Sequence, residues 1–189
     1  MLEDLIRQIE ELLTSKSPVV IAISGHGGSG KSTLADKLAD HFGISENQIV
    51  RTDGLHAKNY MQAPDIFQHH DWETIMHLFS SIRNTDRLVY LKRDSDGVES
   101  TVDVPRPPVV IVEGIRLLRP EVMPYTDLSV WIDCPLELAT KRAKERNRLQ
   151  GDSDAEIALW DTKWTPESRL YYDRVQPQEL ASFIYKEYE

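Results

Sequence analysis

The chain has 189 residues and a formal charge of −9, set by 31 acidic and 22 basic side chains. That length predicts a single domain spanning residues 1–189 with a full hydrophobic core, and the acidic balance argues against a protein that wraps nucleic acid or lies on anionic membrane. One cysteine, Cys134, rules out an internal disulfide framework.

Leu2, Leu5, Ile6, Ile9, Leu12 and Leu13 keep helical spacing with charged residues between them. They predict a leading amphipathic helix within residues 1–17, ended before Pro18 and packed on its own domain. This start is acidic rather than signal-like, and no apolar stretch is long enough to span a membrane, so a cytoplasmic location is expected.

Val19-Val20-Ile21-Ala22-Ile23-Ser24 reads as a buried strand. It runs into Gly25-His26-Gly27-Gly28-Ser29-Gly30-Lys31-Ser32, followed by Thr33. The pattern Gly-x-x-x-x-Gly-Lys-Ser is the phosphate-binding loop. Its glycines let successive N–H groups turn toward phosphate oxygens; its lysine reaches the β- and γ-phosphates and its hydroxyl reaches Mg²⁺. Leu34, Leu38 and Phe42, four apart, place a helix directly after the loop, so its positive end faces the same anion. The order strand, loop, helix predicts nucleotide binding through Gly25 to Thr33, with Mg²⁺ held beside the phosphates.

A short strand over 49–52 ends at Asp53-Gly54. A carboxylate there can accept a proton from an attacking hydroxyl or order Mg²⁺; the alternative is an ordinary turn aspartate. Residues 54–71 form a polar loop containing His56, His69 and His70, long enough to expect a functional role. No cysteine or spaced histidine pair supports zinc, which leaves substrate contact, carried chiefly by His56, or plain loop histidines. A helix is expected over 72–83, then a hairpin with strands at 88–91 and 98–104 about the turn Arg93-Asp94-Ser95-Asp96-Gly97.

Val109-Val110-Ile111-Val112 is the next buried strand, and it ends at Glu113. A carboxylate after four aliphatics suits a position near Mg²⁺, since burying an unpaired charge is costly; an exposed strand-end glutamate is the alternative. A further strand, 128–132, ends at Asp133. The helix over 136–149 carries Lys141, Arg142, Lys144, Arg146 and Arg148. Arg142 and Arg146 share a face and suit a phosphoryl group, against the alternative of a solvated charged face. Helices over 155–164 and 167–175 and a strand over 181–185 complete the chain. Trp160, Trp164, Tyr171 and Tyr172 suit core or lid packing better than base stacking. Strands alternating with helices predict an α/β fold, three layers with a mainly parallel sheet, and ligands at the strands' carboxyl ends.

The phosphate loop, Thr52-Asp53-Gly54, Val110-Ile111-Val112-Glu113-Gly114 and the Arg142/Arg146 helix together resemble the uridine kinase, phosphoribulokinase and bacterial pantothenate kinase group. The resemblance runs in order over residues 19–134 and extends to Arg148. It implies a P-loop NTPase fold with a small lid, here about 140–155, and transfer of the γ-phosphate of ATP to a hydroxyl of a small metabolite with Mg²⁺. It implies that Lys31, Asp53, Arg142 and Arg146 are catalytic, that Ser32, Asp53 and Glu113 serve the metal, and that His56, Asp71, Tyr90 and Arg93 approach the substrate. The chain departs from the uridine kinase pattern at Gly151-Asp152, which lacks the lid arginine, and at Asp53-Gly54-Leu55-His56. Two other functions fit the loop: a nucleoside monophosphate kinase, and a non-catalytic P-loop regulatory module. The acceptor is not readable, and a homo-oligomer is left open.

Overall fold

The computed structural model describes residues 1–58, 60–93 and 98–186. In chain order the elements are α1 (Leu2–Leu13), β1 (Val19–Ser24), α2 (Lys31–Phe42), β2 (Val50–Arg51), α3 (Trp72–Ser81), β3 (Arg87–Arg93), β4 (Glu99–Pro105), β5 (Val109–Glu113), β6 (Leu128–Asp133), α4 (Leu136–Gln150), α5 (Asp154–Leu159), α6 (Thr165–Val175), α7 (Pro177–Leu180) and β7 (Phe183–Lys186). Five strands form one parallel sheet in the order β2-β5-β1-β6-β7. β3 and β4 pair antiparallel as a separate hairpin. Residues 94–97 of its expected turn lie outside the described residues.

The sheet divides the core by the two-residue period of its strands. Val19, Ile21 and Ile23 of β1 meet Leu5 and Ile9 of α1, Leu34 and Leu38 of α2 and Ala139 of α4 on one face. Val20 and Ala22 turn to the other face with Ile75, Leu78 and Phe79 of α3, Trp131 of β6 and Tyr171 of α6. Every residue of β1 and β5 is buried. This explains why these strands read as unbroken aliphatic runs rather than alternating ones.

Because β1 lies between β5 and β6, the loops after these three strands open at one edge of the sheet. Ile23 is in register with Glu113, and Arg51 with the same Glu113 from β5's other side. Two expected elements differ. The second strand is only Val50–Arg51, because Thr52–Gly54 winds into a 3₁₀ turn that lifts Asp53 out of the sheet. The helix expected over 155–164 stops at Leu159 and continues as a single π-helical turn, Trp160–Trp164.

Candidate active site

The loop after β1 wraps the start of α2. Gly28 (φ 82°) and Gly30 (φ 102°) are left-handed, a conformation that side chains resist. Gly28 has a second constraint: a Cβ there would stand 2.2 Å from the carbonyl of Ala139, so α4 packs directly on the loop. A Cβ at Gly27 would meet the ring of Trp160 at 2.7 Å. Bare backbone is therefore needed for the turn and also for the approach of the segment that covers it.

Lys31 is 6% exposed and its Nζ donates to the carbonyl of His26 at 3.0 Å. Burial lowers its pKa below the usual lysine range, opposed by the carboxylates of Glu113 and Asp53 and assisted by Arg146. The His26 side chain turns away, packing edge-on against Trp131 and beside Tyr172, and burial holds its pKa at about 4.

At the end of β5, Glu113 is 2% exposed. Its Oε1 accepts from the Ser32 hydroxyl at 2.9 Å and from Arg51 at 3.2 Å, and Arg51 also binds Asp36 at 2.6 Å. Its other oxygen, Oε2, is buried without a partner, as is the Thr52 hydroxyl nearby, where a Cβ on Gly114 would collide with Thr52.

A cavity of about 470 Å³ opens over the loop; Glu113 does not line it and meets it only through its bond to Ser32. Gly27, Gly28, Gly30, Lys31, Ser32 and Thr33 form one wall; Asp53 stands at its side, and Arg142 and Arg146 reach in from α4. Gly25, His26 and Ser29 do not line it; they shape the loop from behind. The five basic residues of α4 thus divide. Lys141, Lys144 and Arg148 line a different groove, with Lys144 bound to Asp161.

A family profile described as an AAA domain matches residues 21–159. The chain belongs to that family. Among curated relatives, a uridine kinase of Ureaplasma parvum serovar 3 is 24% identical over 187 residues, covering 88% of this chain and 86% of the relative. A uridine kinase of Shewanella sp. (strain ANA-3) is 28% identical over 170 residues, covering 81% and 80%. Two solved structures share the fold. The putative fructose transport system kinase from Silicibacter sp. TM1040 superposes with a TM-score of 0.78 at 24% identity over 98% of each chain. The phosphoribulokinase from Rhodobacter spheroides gives 0.65 at 12% identity, over 91% of this chain and 71% of that one. The P-loop fold and the likeness to the uridine kinase and phosphoribulokinase group read from the motifs are therefore present in sequence and in three dimensions.

Of the four residues expected near a substrate, His56 lines the cavity and three do not. Asp71 caps α3 instead, accepting from the backbone N–H of Thr74 at 3.0 Å and from its hydroxyl at 2.9 Å. Tyr90 is partly buried against the core that holds α3. Arg93 donates to the carbonyl of His56 and binds Glu99 at 2.6 Å, so it braces the loop from outside.

The motifs did not point to Arg116. It sits just past Glu113-Gly114 with φ 60°, is 3% exposed, and donates to the carbonyl of Ile66 at 3.1 Å, to His69 Nδ1 at 2.8 Å and to Glu167 at 2.8 Å. One guanidinium thereby ties the end of β5 to the 54–71 loop and to α6. A single arginine after a Glu-Gly gives no periodic or motif signal. Its left-handed backbone is visible only in three dimensions.

The donor set fits Mg²⁺. Among the described residues no three His, Cys, Asp or Glu side chains converge on one point. A cation that keeps several waters and takes few protein ligands suits the Ser32 hydroxyl and the unpartnered Oε2 of Glu113.

Proposed function

We propose that the chain is a phosphotransferase that moves the γ-phosphate of ATP to a hydroxyl of a small molecule, with residues 1–189 acting as one domain. The observation that carries this reading is that Lys31, Asp53, Arg142 and Arg146 line one cavity with room left beyond the phosphate loop. The curated uridine kinases that it resembles support the same class of reaction.

In this reading the loop amides bind the phosphates, and Ser32 with Glu113 and Asp53 serves Mg²⁺, which when bound neutralises phosphate charge. Asp53 orients the acceptor hydroxyl and receives its proton. A new O–P bond forms as the bond to the β-phosphate oxygen breaks, and that electron pair leaves on ADP. Lys31, Arg142 and Arg146 balance the charge that develops. The region about 140–155, with Trp160 seated on Gly27, acts as a lid that keeps water from the phosphoryl group.

The test is ADP release in the presence of ATP, Mg²⁺ and a panel of hydroxyl compounds. Acceptor-dependent release that falls by at least a hundredfold in Asp53→Asn, with ATP affinity retained, is expected. If no acceptor stimulates release and the variant turns over like the parent chain, the reading is wrong.

A further inference from the structure

One helical segment touches two walls of the cavity. From Trp160 to Val175 the chain runs unbroken, as the π-helical turn followed by α6. A single π turn is rare and is found mostly at functional sites. Here its residues point to different partners. Trp160 is the ring that a Cβ on Gly27 would strike, and Asp161 holds Lys144 of α4 at 2.6 Å. The Thr165 hydroxyl meets that of Thr140, also on α4, at 2.8 Å. On the other side the segment grips the 54–71 loop. Lys163 donates to the carbonyl of Met61 at 3.4 Å, the Trp164 ring stands perpendicular to His69 with centres 6.3 Å apart, and Arg174 binds Asp65 at 3.0 Å.

Burial decides which of these contacts carries most. Arg174 and Asp65 are 48% and 40% exposed, and surface pairs of that kind contribute little. The Arg116 side chain is 3% exposed and its partner Glu167 16%. The Arg116 guanidinium donates to Glu167 Oε2 at 2.8 Å, to the Ile66 carbonyl at 3.1 Å and to His69 Nδ1 at 2.8 Å. A guanidinium accepts nothing, so His69 Nδ1 is the bare nitrogen and the ring proton sits on Nε2. Glu167 Oε1 holds Lys163 at 3.1 Å, which returns the network to the π turn. Charge-assisted bonds are the stronger ones, and a buried ion that loses its partner is left uncompensated. Arg116 is therefore the joint between the 54–71 loop and the helical segment.

We propose that Arg116 is a positioning residue that couples the phosphate loop to the 54–71 loop; the proposal rests on the nucleotide-binding part of the reading above and needs no particular acceptor. A nucleotide seated on the loop amides fixes Gly27, on which Trp160 rests, and draws on Arg142 and Arg146 of α4, the helix that holds Asp161 and Thr165. The segment 160–175 is steadied in turn, and Glu167 with Arg116 passes that order to Ile66 and His69. The loop beside Asp53 is thus set when nucleotide is in place, and by linkage an ordered loop favours the nucleotide equally.

Hydrogen exchange of the full chain, read by mass spectrometry with and without ADP and Mg²⁺, tests this without turnover. In the parent chain ADP should slow exchange over residues 54–71 by about fivefold or more, as well as over 25–33. In Arg116→Lys and in Glu167→Gln, ADP should still protect 25–33, which shows that the variant is folded and binds, while the ADP-dependent slowing over 54–71 falls by at least half. Arg174→Ala, which removes only an exposed pair to the same loop, should keep the full effect. Exchange over 54–71 that ignores ADP in the parent chain overturns the proposal. So does a variant whose loop exchanges faster with and without ADP alike, leaving their ratio at the parent value, because Arg116 would then be merely structural. Failure of ADP to bind overturns the proposal and the nucleotide reading together. The phosphotransferase reading fails by itself when ADP protects both loops but no hydroxyl compound stimulates ADP release.

Discussion

The Ser32 hydroxyl donates to Oε1 of Glu113 across 2.9 Å, joining the residue after the phosphate-loop lysine to a strand end 81 positions later. Arg51 shares that oxygen at 3.2 Å, which leaves Oε2 as the unpartnered oxygen of this carboxylate. One buried carboxylate thus fixes the hydroxyl, balances an arginine and keeps an acceptor in reserve.

Replacing Glu113 with glutamine keeps the shape but removes the charge that Arg51 faces. The expected cost is about 1–3 kcal/mol of stability, the penalty for disturbing a buried hydrogen-bonded polar group. Urea unfolding measures it. The concentration of Mg²⁺ needed for half-maximal ADP release should rise in the same variant; an unchanged value would remove Glu113 from the metal site.

Lys31→Met should separate activity from stability. If Lys31 faces developing charge as proposed, its loss should reduce turnover by on the order of 10²–10³. The side chain is nearly fully buried, and its burial lowers its pKa, so an apolar chain of similar length removes a desolvation cost. The melting temperature should stay level or rise. A large fall would mean that the bond from Nζ to the His26 carbonyl supports the fold more than the burial opposes it.

Gly27 and Gly28 should respond differently to alanine. At Gly27 the new methyl meets only the Trp160 ring, so Gly27→Ala should perturb Trp160 fluorescence, and Trp160→Ala should rescue much of the lost stability in a double-mutant cycle. At Gly28 the obstruction is the backbone carbonyl of Ala139, and φ is +82°. Gly28→Ala should cost about 1–3 kcal/mol from the backbone conformation alone, and no side-chain truncation should recover it. Equal rescue at both sites would refute this distinction.

His26 at about 4 and His70 at about 3 lie below the ordinary histidine value near 6.5 because burial disfavours their charged forms. Between those folded values and 6.5 the unfolded chain binds more protons than the folded one, so stability rises with pH across this window and is lost as the solution is acidified below 6.5. Each histidine contributes a slope of up to about 1.4 kcal/mol per pH unit. Urea midpoints measured from pH 7.5 down to pH 5 should fall, and His70→Phe should flatten the slope. An unchanged slope would place a polar partner on the His70 ring.

Much of the site was legible in order along the chain because its parts are local. The phosphate loop is one contiguous turn whose glycines are dictated by backbone geometry, and Glu113 follows an aliphatic run that only a doubly covered strand explains. Arg142 and Arg146 are four apart on one helix, so a shared face follows from the helical repeat, and both reach the cavity. Asp71 was misleading for a local reason: an aspartate three residues before a threonine at a helix start serves as an N-cap. The same position in the chain suits substrate contact and capping equally, and only the side-chain direction separates them.

The sequence by itself determined the layered α/β architecture, the phosphate loop and the carboxylates at strand ends, since strand and helix periods and glycine geometry act over a few residues. Tertiary structure alone decided which side chains share the cavity. The parallel order β2-β5-β1-β6-β7 brings residues 25–33, 53, 113–116 and 142–146 to one edge. There Arg116 is consumed by Glu167, and His70 is buried with both nitrogens unpaired. Burial and hydrogen-bond satisfaction depend on contacts between distant segments, so which charged side chains are committed to partners, and which polar ones are buried without them, is settled only when the chain is packed.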